Sequence, residues 1–257
     1  MLDEIKITRA IIDTYLEKLR GALESEVIIV GAGPSGLTAG YYLGKENIKA
    51  VIFERGLRPG GGMPGGGMMF NQIVIQPEAK EIFDELGIEV KAYERDYFVA
   101  DALLTLGILM ARCIKAGSKI FNLITVEDVL IRDDKVCGAV INWASVELAN
   151  LHVDPVSVRS KFVIDATGHS AEITRIIEKK IGKKLFTATG GIVGEQPMWA
   201  EVGERTIVEN TKEVYHNLFV CGMSANTVFG GPRMGPIFGG MFLSGRKVAR
   251  MIKERLR

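Results

Sequence analysis

Three groups able to bind a divalent metal fall close together in the second half of the chain. His152 and Asp154 share the stretch NLHVDP, and His169 follows in DATGHSAE. A carboxylate and an imidazole suit a first-row metal, and Asp154 with His169 alone would leave coordination positions free for substrate. If residues 150–155 are extended, the side chains of His152 and Asp154 point the same way. His152 would then stand beside the metal as an acid or base, or as a third ligand. No HxH or HExxH spacing supports the site. The same residues also read as polar loop groups, with His169 at a helix start bonded to backbone, and spacing alone leaves the choice open. His216, in VYHNLF, precedes a strand and reads as a solvated edge residue.

A second constellation is more specific. Gly31, Gly33 and Gly36 form GxGxxG directly after an apolar run, and Glu54 ends the next such run 23 residues after Gly31. Between a strand and a helix, Gly31 permits the tight turn. Gly33 lets backbone N–H groups approach a pyrophosphate at the helix N-terminus, and Gly36 lets helix and sheet pack closely. Glu54 is placed to accept hydrogen bonds from an adenosine ribose. Together they predict an adenine dinucleotide. Arg55 and a run of glycines at 60–62 follow at once, a layout shared with flavin-binding proteins that carry two dinucleotide-binding domains. VIDATG, at 163–168, is similar to their second recurring segment. Their late fingerprint ends in Gly-Asp, whereas LFVCGMSA puts Met223 at the aspartate position, which lowers the case for flavin. Arg55 reads either as an offset to phosphate charge or as a solvated loop arginine.

A third feature is FGGPRMGPIFGGM, at 229–241, which sets Arg233 among glycines and prolines just ahead of a helix. So stiff a loop would present its guanidinium to an anion, and a carboxylate gripped at two points is the natural guest.

Residues this far apart need a scaffold to bring them together. The pattern predicts a helix over 5–19, a strand at 27–30, a helix after the glycine turn and a strand at 49–53. Helices follow near 77–86 and 99–116, with the extended piece GIEVKAY between them. Residues 118–142 read as strand, strand, the charged turn RDDK, and strand. KFVIDATG is a buried strand before a helix at 171–180. ATGGIVGEQPMWAEVGE reads as a long loop or broken strand, NLFVCGM as a buried strand, and the C-terminal stretch as an amphipathic helix. Apolar strands alternating with helices predict an α/β protein with a flavoprotein-like dinucleotide-binding fold. Its central parallel sheet would carry helices, with a smaller antiparallel layer at about 119–143. One domain would span 1–257, with a helical and hairpin insertion at about 60–145.

Composition excludes several classes. The net charge is +1 with no basic block, so no nucleic-acid partner is expected. No apolar run is long enough to cross a bilayer, and the charged, amphipathic N-terminus lacks the form of a signal peptide. Cys113, Cys137 and Cys221 are odd in number and unclustered, as reduced core thiols would be. A cytoplasmic enzyme is expected.

Taken together, GAGPSGL, FERGLRPGGGMPGGGMMFN, NWA at 142–144, VDP before VIDATGH, and GGPRMGPIFGGM resemble the thiazole synthase family of thiamine biosynthesis. Its archaeal members were often described earlier as ribose-1,5-bisphosphate isomerases. The resemblance implies NAD as a consumed carbon source, not a hydride carrier. Nicotinamide is lost, and the ADP-ribose combines with glycine and sulfur into an adenylated thiazole carboxylate. It places Ser35, Glu54, Arg55, Gly62, Val126, His152, Val153 and Met223 along the NAD or its adenylated product. Asp154 and His169 would bind Fe(II), and Arg233 would hold the glycine carboxylate. It also implies a homo-oligomer, an octamer built as a ring of dimers, with iron sites shared between subunits. Fungal and plant relatives carry a sulfur-donating cysteine at the position of His152. The histidine here implies the sulfide-dependent branch, which turns over repeatedly. The rivals are a flavin-dependent oxidoreductase of the same fold, an isomerase of ribose bisphosphate, and a non-catalytic dinucleotide-binding sensor.

Overall fold

In the computed structural model, which describes all 257 residues, β1 (Glu24–Val30) runs through the centre of the main sheet. Its last four residues are buried on both faces, as a strand covered from both sides must be. β2 (Ala50–Glu54) pairs with it in parallel on one side and β9 (Val156–Asp165) on the other. β6 (Lys119–Asn122) extends the sheet beyond β2, and β11 (Leu218–Val220) beyond β9, both in parallel. β10 (Lys212–Tyr215) closes that edge antiparallel to β11.

The ten residues of β9 serve two partners along one edge. Its C-terminal half pairs with β11, and its N-terminal half pairs antiparallel with β8 (Lys135–Trp143). β8 forms a hairpin with β7 (Ile124–Arg132), which is the expected antiparallel layer. The sheet is therefore mixed around a parallel centre. A separate antiparallel sheet has the order β3 (Gln72–Ile75), β5 (Tyr97–Asp101), β4 (Lys91–Glu94).

Alternation along the strands divides the apolar residues between two cores. Val27 and Ile29 face α2 (Pro34–Lys45), α3 (Pro77–Leu86), α4 (Ala102–Lys115) and α9 (Gly239–Leu256). Ile28 and Val30 face the β7–β8 hairpin, α6 (Glu172–Ile181) and α8 (Met223–Phe229). The short α5 (Ala144–Leu148) follows β8, and α7 (Ala200–Asn210) packs near the start of α9. α1 (Glu4–Arg20) buries no residue fully and rests Tyr15 and Leu19 against the second core. No helix is long and apolar enough to cross a membrane.

Four expectations need correction. The helix placed at 99–116 begins at Ala102, because residues up to Asp101 are drawn into β5, and the Asp101 side chain caps the helix by accepting from Leu104 N at 2.7 Å. The helix placed at 171 begins at Glu172, because Ala171 takes a left-handed φ of 44°. Residues 119–122 join the main sheet as its edge rather than the antiparallel layer. Finally, α7 begins inside the segment read as a long loop. Gly203 suggests a break there, yet a Cβ at that position would lie 2.5 Å from Met234 Cγ and 3.0 Å from Pro232 O. The glycine lets α7 pack against the loop that carries Arg233.

Candidate active site

The site lies at the C-terminal ends of β1, β2 and β9, where an open α/β sheet leaves a crevice. Gly31 turns the chain after β1 with a φ of +101°, and a Cβ there would sit 2.5 Å from Ala166 O. Gly36 is equally constrained, since its Cβ would fall 2.1 Å from Gly31 O. Gly33 caps α2 in an extended conformation without a side-chain hydrogen bond. A Cβ on Gly33 or Gly62 would meet nothing within 4 Å, so both positions face open space in the crevice. A helix N-terminus with free N–H groups beside such glycines is a cradle for a diphosphate.

Glu54 is fixed at the rim. Its two oxygens accept from Ala32 N at 2.8 Å and from Gly56 N at 2.7 Å. Each oxygen keeps a lone pair for a ribose hydroxyl. Arg55 stays mostly exposed, and its Nη1 lies 2.7 Å from Oε1 of Glu172, at the start of α6.

The cleft encloses about 380 Å³. Of the expected residues, Gly31, Gly33, Ser35, Glu54, Arg55, Gly62, Val126, His169 and Met223 line it, and Gly36 packs beneath it. His152, Val153, Asp154 and Arg233 do not line it within one chain; all four are exposed. The segment carrying the first three is held from below, because the buried Asn142 of β8 donates Nδ2–H to Val153 O at 3.0 Å. That bond gives the NWA stretch a task. Arg233 stands on a loop bonded to residues 196–199: its own N–H donates to Gln196 O, and Trp199 N–H donates to its carbonyl. His216 is exposed, as expected.

His169 sits in a one-turn 3-10 helix (Gly168–Ser170) whose position depends on a residue that the motifs did not reveal. Asp165, at the end of β9, is fully buried. Its Oδ1 accepts from Thr167 N, Thr167 Oγ1 and Ser224 Oγ, and its Oδ2 from Thr174 N and Thr174 Oγ1. One carboxylate thus ties β9, the turn before His169, α6 and α8 together. The His169 ring meets a second unforeseen residue, Glu195, with Nδ1 2.7 Å from Oε1.

Glu204 of α7 is a third unforeseen acid, and it is buried. Its Oε2 accepts from Gly240 N at 2.6 Å, at the start of α9. Its Oε1 and the Oε1 of Gln76 are both buried without a partner. Burial pushes the Glu204 carboxyl up to about 7, helped by the charge of Glu78 and opposed by contacts with Gly240 and Gln76. The cysteines are free; burial pushes the thiols of Cys113 and Cys221 up to about 12, so neither supplies a thiolate at neutral pH.

No three His, Cys, Asp or Glu side chains converge within the chain. Asp154 and His169 still suit a divalent ion by donor type: both are exposed, and the His169 Nδ1 contact leaves Nε2 free. Of the two, only His169 lines the cleft. The glycine cradle and Glu54 likewise fit an adenine dinucleotide.

The fold and cleft define an α/β protein with a mixed sheet around a parallel centre and helices on both faces. A geranylgeranyl bacteriochlorophyll reductase-like protein from Thermoplasma acidophilum aligns with 91% of this chain and 79% of its own, at a TM-score of 0.51 and 17% identity, a likeness of fold alone. Residues 8–238 match the Thi4 family. Two proteins named thiamine thiazole synthase are similar along their whole length. One, from Methanothermobacter thermautotrophicus, is 57% identical over 100% of this chain and 99% of its own. The other, from Pyrococcus furiosus, is 53% identical over the same shares. The crystal structure of Thermovibrio ammonificans THI4 superimposes with a TM-score of 0.98 at 48% identity, covering 100% of this chain and 99% of the other. The chain belongs to the Thi4 family.

Proposed function

We propose that this chain, a thiazole synthase of thiamine biosynthesis by its family, makes an adenylated thiazole carboxylate from NAD, glycine and sulfide with Fe(II). The observation that carries the reading is the cleft itself. It gathers the glycine cradle, Glu54, Arg55, Val126 and Met223 around one space, with His169 on the same wall.

In this reading the N–H groups at the start of α2 receive the pyrophosphate of NAD, and Glu54 accepts from the adenosine ribose. Water replaces nicotinamide at C1 of the second ribose, and the hemiacetal opens to an aldehyde that condenses with the amine of glycine, releasing water. Arg233 grips the glycine carboxylate and keeps the reacting atoms aligned. Asp154 of one subunit and His169 of another hold the metal, in an octameric assembly. Fe(II) bound there supplies Lewis acidity and a coordination position for sulfide. His152 moves protons during the tautomerisations. With no sulfur at position 152 and none of Cys113, Cys137 and Cys221 lining the cleft, sulfide comes from solution.

Anaerobic incubation with Fe(II), NAD, glycine and sulfide should release nicotinamide over many turnovers and yield the adenylated thiazole by mass spectrometry. Product without added sulfide, with a protein mass lowered by one sulfur, would defeat the reading of His152. Asp154→Ala and His169→Ala should each lose iron. Co-assembled from mixed subunits, the two variants should recover activity; mixtures as inactive as the parents would exclude a shared site.

A further inference from the structure

We infer that Glu195 is the positioning residue of His169: it holds the proton on Nδ1 and leaves the lone pair of Nε2 facing the cleft. The inference rests on the reading of His169 as a metal ligand.

Glu195 Oε1 lies 2.7 Å from His169 Nδ1, and the Glu195 side chain is only 19% exposed against 51% for His169. A carboxylate has no proton to offer in its ionised form, so the shared hydrogen sits on Nδ1 and Nε2 is left as the acceptor. The hydrogen bond made by one ring nitrogen decides which tautomer the other presents to a metal.

The contact is built by both backbones, not by chance rotamers. α8 is the bracket. On one side, Thr227 Oγ1 donates to His169 O at 3.1 Å, and Ser224 Oγ donates to Gly168 O at 3.0 Å. On the other, Val193 N donates to Val228 O and Gly194 N to Thr227 O, both at 3.0 Å. Gln196 N–H, just past Glu195, donates to Gly231 O at 3.0 Å. Thr227 thus fixes the His169 backbone with its side chain and the approach to Glu195 with its carbonyl. The same strap of chain continues to the Arg233 loop, where Gln196 O accepts from Arg233 N.

The test uses the iron-free, full-length protein labelled with nitrogen-15, in which only three histidines give ring signals. At pH 8 the wild-type His169 should show a protonated Nδ1 and an unprotonated Nε2. Glu195→Ala should shift the ring toward the opposite tautomer and weaken Fe(II) binding by about 10- to 100-fold. Glu195→Gln, whose amide oxygen can still accept, should restore the tautomer and part of the affinity. A wild-type ring protonated on Nε2, or a Glu195→Ala protein with unchanged tautomer and iron affinity, overturns the role of Glu195. Unchanged iron affinity in His169→Ala overturns the ligand reading beneath it, and the two failures are separable.

Discussion

Glu204→Gln should make the protein more stable above neutral pH and leave it unchanged in acid. In the folded chain Glu204 is 7% exposed, and burial holds its carboxyl at about 7 against an ordinary value of 4.5. The folded state therefore keeps a proton that the unfolded chain gives up. The stability linked to that proton is complete below 4.5, falls as pH rises, and is gone above about 7. At about 1.4 kcal/mol for each tenfold change in proton affinity, the loss comes to about 3 kcal/mol. A glutamine keeps an oxygen for Gly240 N and presents an NH2 group to the unpartnered Oε1 of Gln76, at every pH. Urea unfolding followed by tryptophan fluorescence can read the difference, since Trp199 caps α7 itself. Wild type and variant should match at pH 4 and differ by about 3 kcal/mol at pH 8, at equal protein concentration. A variant no more stable at pH 8, or a gain of equal size at both pH values, would refute the account of Glu204 as a buried acid.

Two further perturbations separate folding from binding. Gly36→Ala puts a methyl group 2.1 Å from Gly31 O and should cost about 1–3 kcal/mol or more in urea unfolding. Gly33→Ala meets no neighbour within 4 Å and should cost less than about 1 kcal/mol. By calorimetry, however, it should lose most of its affinity for ADP-ribose. Asp165→Ala strands four buried or half-buried donors, Ser224 keeping Gly168 O, and should destabilise the fold by about 3–5 kcal/mol in the same urea assay, with Asp165→Asn falling between it and wild type.

The glycine turn and its acid are legible in the sequence because their parts are local. The turn from Gly31 to Gly36 and the acid at Glu54 are separated by one helix, and adjacent parallel strands bring them together at their ends. The proposed iron ligands are legible only as donor types. His169 and Asp154 stand 15 residues apart in the sequence, yet in the fold one lines the cleft and the other lies on a surface segment. Glu195 and Glu204 escape notice for a different reason. Both lie near glycines and prolines that suggest irregular chain, and the bonds that give them meaning reach His169 and the start of α9. Asp165 hides in plain view, since VIDATG reads as a buried strand and gives no sign that its acid gathers donors from three later segments.

α8 has a consequence for how the enzyme fails when warmed. Seven residues are too few to hold a helix by themselves, so α8 owes its order to the cores and side-chain bonds around it. His169, Glu195 and the strap leading to Arg233 all hang from it. A local opening confined to α8 would disperse these groups while the sheet and the dinucleotide cradle stayed intact. Heat would then silence the chemistry at a lower temperature than it melts the protein, and cooling would restore it.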